Sequence, residues 1–402
     1  MSLALYQPSA NIELLRESAT IAVSQQARAL KAQGRRVVDL GAGEPDFDTP
    51  AFIREAGKRA LDQGHTRYTA TDGVLPLREA IAAQAQEHGA VADSITAADV
   101  VVSNGSKQSL FNACFVVFGP GDEVLIPTPS WTSYYEMVQL ARAVPVAVYG
   151  DADHDLKVSI ESLEARATDR TRGIMLNSPC NPTGAVYDAD ELRAILDLAR
   201  RRGWWVISDE IYARIVYEHD APSVLDVAEE RENLIVVDGV AKAYAMTGWR
   251  VGWAIASREV ARAMTAFQSH ATFHTAAVSQ QAALAALTNR AEAEEAIAAM
   301  VAQYRRRRDA ALDALSQVSG LRYVRPAGAF YLYVDVGPTS ENSDDAGGLF
   351  ARGLLDEYGI AVVPGAAFKT PDWIRMSYAT DEALVVEGAQ RIGEYFRRLA
   401  RG

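Results

Sequence analysis

Cysteine is scarce: Cys114 and Cys180 are the only two among 402 residues. Two thiols build no disulfide framework, and no repeated Cys/His spacing offers a structural zinc its four ligands. Long apolar runs are missing too. The opening MSLALYQPSANIELLRES has no basic start followed by an apolar stretch, and no window reaches the length of a membrane span, so a cytoplasmic protein without a membrane partner is expected. Positive charge is in deficit, with 40 Lys and Arg against 52 Asp and Glu and a net charge of -12. That balance leaves no surface to neutralise phosphates and excludes a general nucleic-acid binder. The longest basic run, Arg305 to Arg308 in MVAQYRRRRDAALDAL, reads as the solvated face of a helix.

What is present is a succession of short apolar runs bounded by turn residues: RVVDL (36–40), DVVVS (99–103), EVLIP (123–127), PVAVY (145–149), GIMLN (173–177), WWVIS (204–208), LIVVD (234–238) and VGWAIA (251–256). Helical patterns such as LPLREAIAAQAQEHG and DADELRAILDLARRRG lie between several of them. Near-continuous apolar strands alternating with helices predict an α/β domain whose mostly parallel sheet is covered on both faces. From about residue 286 an Ala-, Glu- and Arg-rich helix, the strand-like FYLYVDV and IAVVP, and a closing helix predict a smaller α+β unit. GPTSENSDDAGG (337–348) reads as a surface loop.

Open α/β sheets bind ligands beyond the carboxyl ends of their strands, and four such ends carry unusual chemistry. After DVVVS, Asn104-Gly105-Ser106-Lys107 precedes a helical pattern, a turn whose backbone N–H groups can cradle an anion. It is not a Walker loop, since the first glycine is absent and Gln108 follows the lysine. After GIMLN, two prolines and a glycine stiffen the turn around Asn181. Asp209 ends WWVIS, where it serves either as a helix cap or as the buried partner of a cation, and Tyr212 follows. After LIVVD comes GVAKAYAMTGWRVG, in which Lys242 stands between alanines with Arg250 as the next cation. A lysine held from water has a lowered pKa, and its free amine can attack a carbonyl to form a Schiff base. An amine, an acid, an anion cradle and ring-side donors together suit a pyridoxal phosphate site. A dinucleotide fingerprint fails at VVDLGAGEPD, because Asp46 occupies the place of the third glycine.

Nine segments in order carry a family resemblance: AGEPDFDTP, RYTATDGVLPLREAI, SNGSKQSLFN, PSWTSYYEMV, NSPCNPTGAVY, SDEIYARIVY, AKAYAMTGWRVGW, RPAGAFYLYVD and IRMSYAT. From about Ser18 onward the chain resembles the fold-type I pyridoxal-phosphate aminotransferases of class I/II, close to the bacterial aspartate aminotransferase branch. The resemblance implies a large domain (46–285) with a seven-stranded sheet between helices, and a small domain made of 1–45 and 286–402. It further implies pyridoxal 5'-phosphate as cofactor and a homodimer with shared active sites. By position, Lys242 resembles the lysine that binds the cofactor aldehyde and shuttles the substrate's α-proton. Asp209 matches the carboxylate that keeps the pyridine nitrogen protonated, Tyr212 and Asn181 the donors to the phenolic oxygen, and Trp131 the stacked aromatic. Gly105, Ser106 and Arg250 match the phosphate contacts, with Tyr68 reaching in from a second subunit. Arg375 and Gly43 match the grip on the substrate α-carboxylate.

Two departures stand out. Gly239 and Ala241 occupy positions where relatives carry serines near the phosphate, and the loop SHATFHTAAVSQ places Phe273, His274 and Thr275 where the family reads the substrate side chain. Lys107 resembles the lysine that meets the distal carboxylate of aspartate or glutamate, with Ser18 and Thr20 nearby; as a bare residue it could equally serve phosphate or solvent. The expected reaction is amino transfer from aspartate to 2-oxoglutarate in two half-reactions. Aromatic, prephenate or neutral donors stay open, as does a carbon-sulfur lyase or a cyclopropane-forming synthase on the same body. A regulator with such a body is expected to carry a basic helix-turn-helix before Ser18, and none is seen there.

Overall fold

A computed structural model describes residues 19–340 and 343–400, together with Ser9, Ile12 and Leu15. The strands in chain order are β1 (Val38–Asp39), β2 (Val100–Ser103), β3 (Glu123–Thr128), β4 (Val144–Tyr149), β5 (Thr171–Asn177), β6 (Trp205–Asp209), β7 (Leu234–Gly239), β8 (Gly252–Ile255), β9 (Arg322–Val324), β10 (Tyr331–Asp335), β11 (Ile360–Ala361), β12 (Val363–Pro364) and β13 (Trp373–Ser377). Seven of the eight apolar runs form one sheet in the order β2-β8-β7-β6-β5-β3-β4. Only β8 runs against its neighbours. Alternate side chains serve two cores: Leu125, Ile174 and Leu176 pack into one layer, and Val124, Ile126 and Met175 into the other. Burial on both faces explains why these strands read as unbroken apolar runs.

The covering helices follow from local signals. Asp188 Oδ1 accepts the N–H groups of Asp190 (2.9 Å) and Glu191 (2.8 Å), which starts the helix Ala189–Arg202, and Gly203 at φ +67° ends it. Its buried Leu192, Ile195, Leu198 and Ala199 recur at helical spacing. Strand order reverses between β3 and β5, so the loops after those two strands open onto a crevice, the usual ligand position in such sheets.

The first run, RVVDL, leaves the large sheet: β1 pairs in parallel with β11, Val38 to Ile360 and Asp39 to Ala361. IAVVP forms two short strands instead of one, β11 on β1 and β12 on β13. β12, β13, β10 and β9 make an antiparallel sheet, beside which the helix Arg290–Ser316 packs on the closing helix Glu382–Leu399.

Two expectations are corrected. The arginine run is no solvated face, since Arg307 and Arg308 are 7% and 1% exposed. Arg307 binds both oxygens of Asp46 (2.8 and 2.9 Å), and Arg308 binds both of Glu218 (2.8 and 2.5 Å) and the carbonyl of Pro326 (3.0 Å). Consecutive helical residues are turned by about 100°, so four arginines sweep around the helix and cannot share one face. Nor is 337–348 all loop: Ala346, Gly347 and Gly348 are buried and open the helix Ala346–Tyr358. Among the described residues no helix is long and apolar enough to cross a membrane, and no His/Cys/Asp/Glu group could hold a metal ion.

Candidate active site

A cavity of about 540 Å³ lies at the carboxyl ends of β3, β5, β6 and β7, walled also by the loop 41–44, β10 and β13. Lys242, three residues beyond β7, enters it and donates from Nζ to the carbonyl of Gly43 at 2.5 Å. Burial lowers its pKa to about 8; Glu44 opposes that shift, and Arg375 and Arg250 add to it. The amine of the ligand-free protein is therefore expected to react with a small aldehyde, trapped by borohydride, with a midpoint near pH 8. The charged form dominates below that point and the nucleophilic form above it. Peptide mass analysis across pH 6 to 11 reads the titration, and a midpoint at the ordinary lysine value would refute the enclosed setting.

Asp209 closes β6 and is 3% exposed. Burial pushes its carboxyl up to about 6, held from rising further by the Tyr134 hydroxyl, which donates to Oδ2 at 2.7 Å, and by the N–H of Ile211 on Oδ1 at 3.3 Å. The carboxylate thus faces the cavity with two donors already supporting its charge. Tyr212 shares a 2.7 Å hydrogen bond with Tyr331, hydroxyl to hydroxyl, and burial raises its pKa. Lys242 Nζ lies 5.7 Å from the Tyr212 ring centre and 5.8 Å from that of Phe330.

Arg375 projects from β13 and is 1% exposed. Nη1 donates to Asn181 Oδ1 (2.9 Å) and Nη2 to the carbonyl of Gly41 (2.8 Å), while the guanidinium stacks 4.3 Å from the Tyr331 ring centre. Nε is buried without a partner among the described residues, a donor that awaits an acceptor. Asn181 is in turn fixed by its N–H on Asn177 Oδ1 (2.8 Å); with its oxygen committed to Arg375, its NH2 is left to donate elsewhere.

The helix Ser106–Val117 points its N-terminus at the cavity, and Arg250 reaches the same corner, donating to the carbonyls of Thr247 (2.9 Å) and Asn104 (3.2 Å). Gly105, at φ +84°, lies behind Ser106; a Cβ there would stand 2.6 Å from Arg250 Nη2. A Cβ on Gly252 would meet the Ser106 nitrogen at 2.2 Å. Both glycines let backbone and guanidinium close into a compact anion cradle. At Gly239 a Cβ would come within 2.9 Å of the Gly252 Cα and the Val251 carbonyl, so no serine side chain fits on that side without a backbone shift.

Trp131 and Lys107 face the cavity together, the ammonium 4.7 Å from the ring centre. Burial and Arg250 lower the pKa of Lys107, and among the described residues no carboxylate pairs with it. Gly43, Ser106, Asn181 and Arg250 also line the wall. Tyr68 does not: it is 84% exposed and meets Phe273 and His274 edge-on at 5.3 and 5.6 Å, outside this chain's own cavity. Ser18 and the side chain of Thr20 lie outside the described residues. Sequence reasoning missed Tyr134, Tyr331, Asn177 and Gly41. Tyr331 is one of the apolar-looking positions of FYLYVDV, while Tyr134 stands one helical turn after Trp131, a spacing that could have drawn attention to it.

Comparison with known proteins accords with this arrangement. Residues 35–392 match the family described as aminotransferase class I and II. An aspartate aminotransferase of Streptomyces avermitilis is 42% identical over 398 residues, covering 96% of this chain and 95% of that protein. An aspartate/prephenate aminotransferase of Cereibacter sphaeroides is 41% identical over 390 residues, covering 94% and 96%. Among solved structures, an aspartate aminotransferase from Thermus thermophilus with maleate superposes with a TM-score of 0.92 at 39% identity, covering 97% of this chain and all of that one. The family match takes in every residue lining the cavity except Gln25 and Arg28, and with relatives of this likeness along nearly its whole length the chain belongs to the class I and II aminotransferases and is a transaminase.

Proposed function

We propose that the chain moves an amino group from L-aspartate to 2-oxoglutarate in two half-reactions, with pyridoxal 5'-phosphate as cofactor, acting in the cytoplasm as a homodimer. The observation that carries the substrate is Lys107: an unpaired cation over Trp131, in the same cavity as the buried Arg375 with its unpartnered Nε. Two separated cations suit two carboxylates on one small molecule.

The donor set fits the cofactor. Gly105 and Gly252 have no room for a Cβ beside Arg250 and Ser106, which makes a cradle of phosphate character, and Asp209 supplies a supported carboxylate for a protonated ring nitrogen. When bound, pyridoxal phosphate supplies an aldehyde that bonds an amine and a ring that takes up electrons released at the substrate α-carbon. Gly105, Ser106 and Arg250 hold the phosphate, the free NH2 of Asn181 and the hydroxyl of Tyr212 donate to the phenolic oxygen, and Trp131 covers the ring. Lys242 moves the proton at the substrate α-carbon, and its depressed pKa keeps it near the working range of a general base. Arg375 grips the α-carboxylate beside Gly43, and Lys107 meets the distal one. The exposed Tyr68 and Phe273, with the half-buried His274 beside them, serve the cavity of the second subunit. The division into 46–285 and 1–45 with 286–402 is part of the proposal, supported by the pairing of β1 with β11.

Prephenate is a second acceptor under the same reading, because it too is a dicarboxylic 2-oxo acid and the Cereibacter sphaeroides relative is named for both. A panel of amino donors against 2-oxoglutarate and prephenate tests the proposal, with Lys107→Ala beside the native chain. Losing one charge-assisted contact is expected to raise KM for aspartate and glutamate about 10- to 100-fold and to spare alanine and phenylalanine. An equal loss across donors assigns Lys107 to the phosphate or to structure. Release of pyruvate from a thioether amino acid, with no amino transfer from aspartate, replaces the transaminase reading of the substrate by a lyase.

A further inference from the structure

Five cationic side chains line the cavity, Arg28, Lys107, Lys242, Arg250 and Arg375, against three acids, Asp39, Glu44 and Asp209. Most are already engaged. Arg375 donates to Asn181 and Gly41, Arg250 to two backbone carbonyls, and Lys242 to Gly43. Asp209 accepts from Tyr134, Asp39 from the N–H of Gly41 (3.0 Å), and Glu44 from the hydroxyl of Thr247 (3.1 Å). Lys107 has an aromatic ring beneath it and, among the described residues, no ion pair. Arg28 has neither hydrogen bond nor ion pair among the described residues.

We infer that Arg28 is a second specificity-determining anchor for the distal carboxylate of the substrate, acting with Lys107. The inference rests on the dicarboxylate reading above and adds an element to it, the N-terminal helix Ala19–Ala32. That helix is fixed in rotation by Ala27, fully buried in a cluster with Val37, Leu355 and Ala361. Val23 presses on Gly41, where a Cβ would stand 3.2 Å from Val23 Cγ1. The carbonyl of Gly41 is the one that holds Arg375, so the helix bearing Arg28 leans on the loop that orients the α-carboxylate anchor. Gln25 and Arg28 are three positions apart, about 60° around the helix, and both face the cavity.

The chemistry of the two free cations differs. The Lys107 ammonium is a point charge, whereas the planar Arg28 fork can present two parallel donors to a carboxylate. A ligand with one carboxylate has no use for either. Gln25 and Arg28 are also the two lining residues outside the span matched to the family.

The test compares the native holoenzyme with Arg28→Ala and Arg28→Lys. One readout is calorimetric binding of maleate, a dicarboxylate with no amino group to transfer; the other is KM for aspartate, 2-oxoglutarate, alanine and phenylalanine. Arg28→Ala is expected to weaken maleate about 10-fold and to raise KM for aspartate and 2-oxoglutarate by a similar factor, with alanine and phenylalanine changed less than about 2-fold. Arg28→Lys should recover part of the loss, because charge returns without the fork. Unchanged maleate affinity in Arg28→Ala, or an equal loss for all four substrates, overturns this inference alone. A native enzyme that neither binds maleate nor uses aspartate overturns the dicarboxylate reading and this inference with it.

Discussion

Lys242→Ala is expected to abolish turnover, with a loss of at least about 10⁴-fold in kcat, while the fold survives. The magnitude follows from the two tasks proposed for one amine: covalent attachment of the cofactor, and proton transfer at the substrate α-carbon. Positioned acid–base catalysis alone contributes about 10²- to 10⁴-fold, and the other lysine among the described lining residues, Lys107, is held over Trp131 and does not replace it. The neighbours Ala241 and Ala243 are buried, whereas the Lys242 side chain opens onto the cavity, so its removal leaves the surrounding core in place. Absorbance of the lysine-bound cofactor, circular dichroism and steady-state rates give three separate readouts. Persistent turnover in a correctly folded variant, freed of contaminating native enzyme, would remove Lys242 from the chemistry.

Asp209→Asn is expected to lower kcat about 10³-fold and to change substrate KM only a few-fold. The amide oxygen can still accept from Tyr134, so what is lost is the charge together with the longer contact from the Ile211 N–H, which an NH2 group cannot accept. Charge is what the proposed role requires, because a protonated ring nitrogen needs a negative partner in a setting where water is excluded. The pH dependence checks the assignment. Burial raises the Asp209 carboxyl to about 6, so the carboxylate is present above that pH and is lost as pH falls through it. The cofactor-free native chain should therefore bind pyridoxal phosphate less tightly as pH falls below about 6, in a way that the Asn variant does not reproduce. A variant within about tenfold of native kcat would show that the charge at this position is dispensable.

The reading of strand ends found the amine, the acid and the anion cradle of the cavity because parallel sheets put their chemistry there. Asp209 and Asn181 follow apolar runs by no more than a few residues, and Lys242 and Ser106 do so across a short turn. What surrounds them came from parts of the chain where sequence gives little warning. Tyr331 opens a strand whose next three residues are buried core, and its hydroxyl becomes visible only when β10 is laid beside Tyr212. Arg307 and Arg308 were misread because a charge run was treated as one face, although their partners, Asp46 and Glu218, are some 260 and 90 residues away in sequence. RVVDL and IAVVP look like independent strands, yet β1 pairs with the first half of IAVVP while its second half pairs with β13; no local pattern encodes those contacts. Tyr68, expected to reach the site of a second subunit, is exposed in the single chain and meets Phe273 edge-on.

The division of residues 360–364 between two sheets has a consequence for how this chain tolerates change. Ile360 and Ala361 hold β1, from which the Gly41 loop departs, while Val363 pairs with Arg375 itself. One pentapeptide therefore sets the spacing between the arginine and the carbonyl that aims it. Swaps among apolar residues of similar volume at these positions should be accepted, but inserting or deleting a single residue would put one of the two sheets out of phase with the other. In any attempt to transplant this arginine with its aiming carbonyl to another scaffold, the length of 360–364 is the quantity to preserve, ahead of its composition.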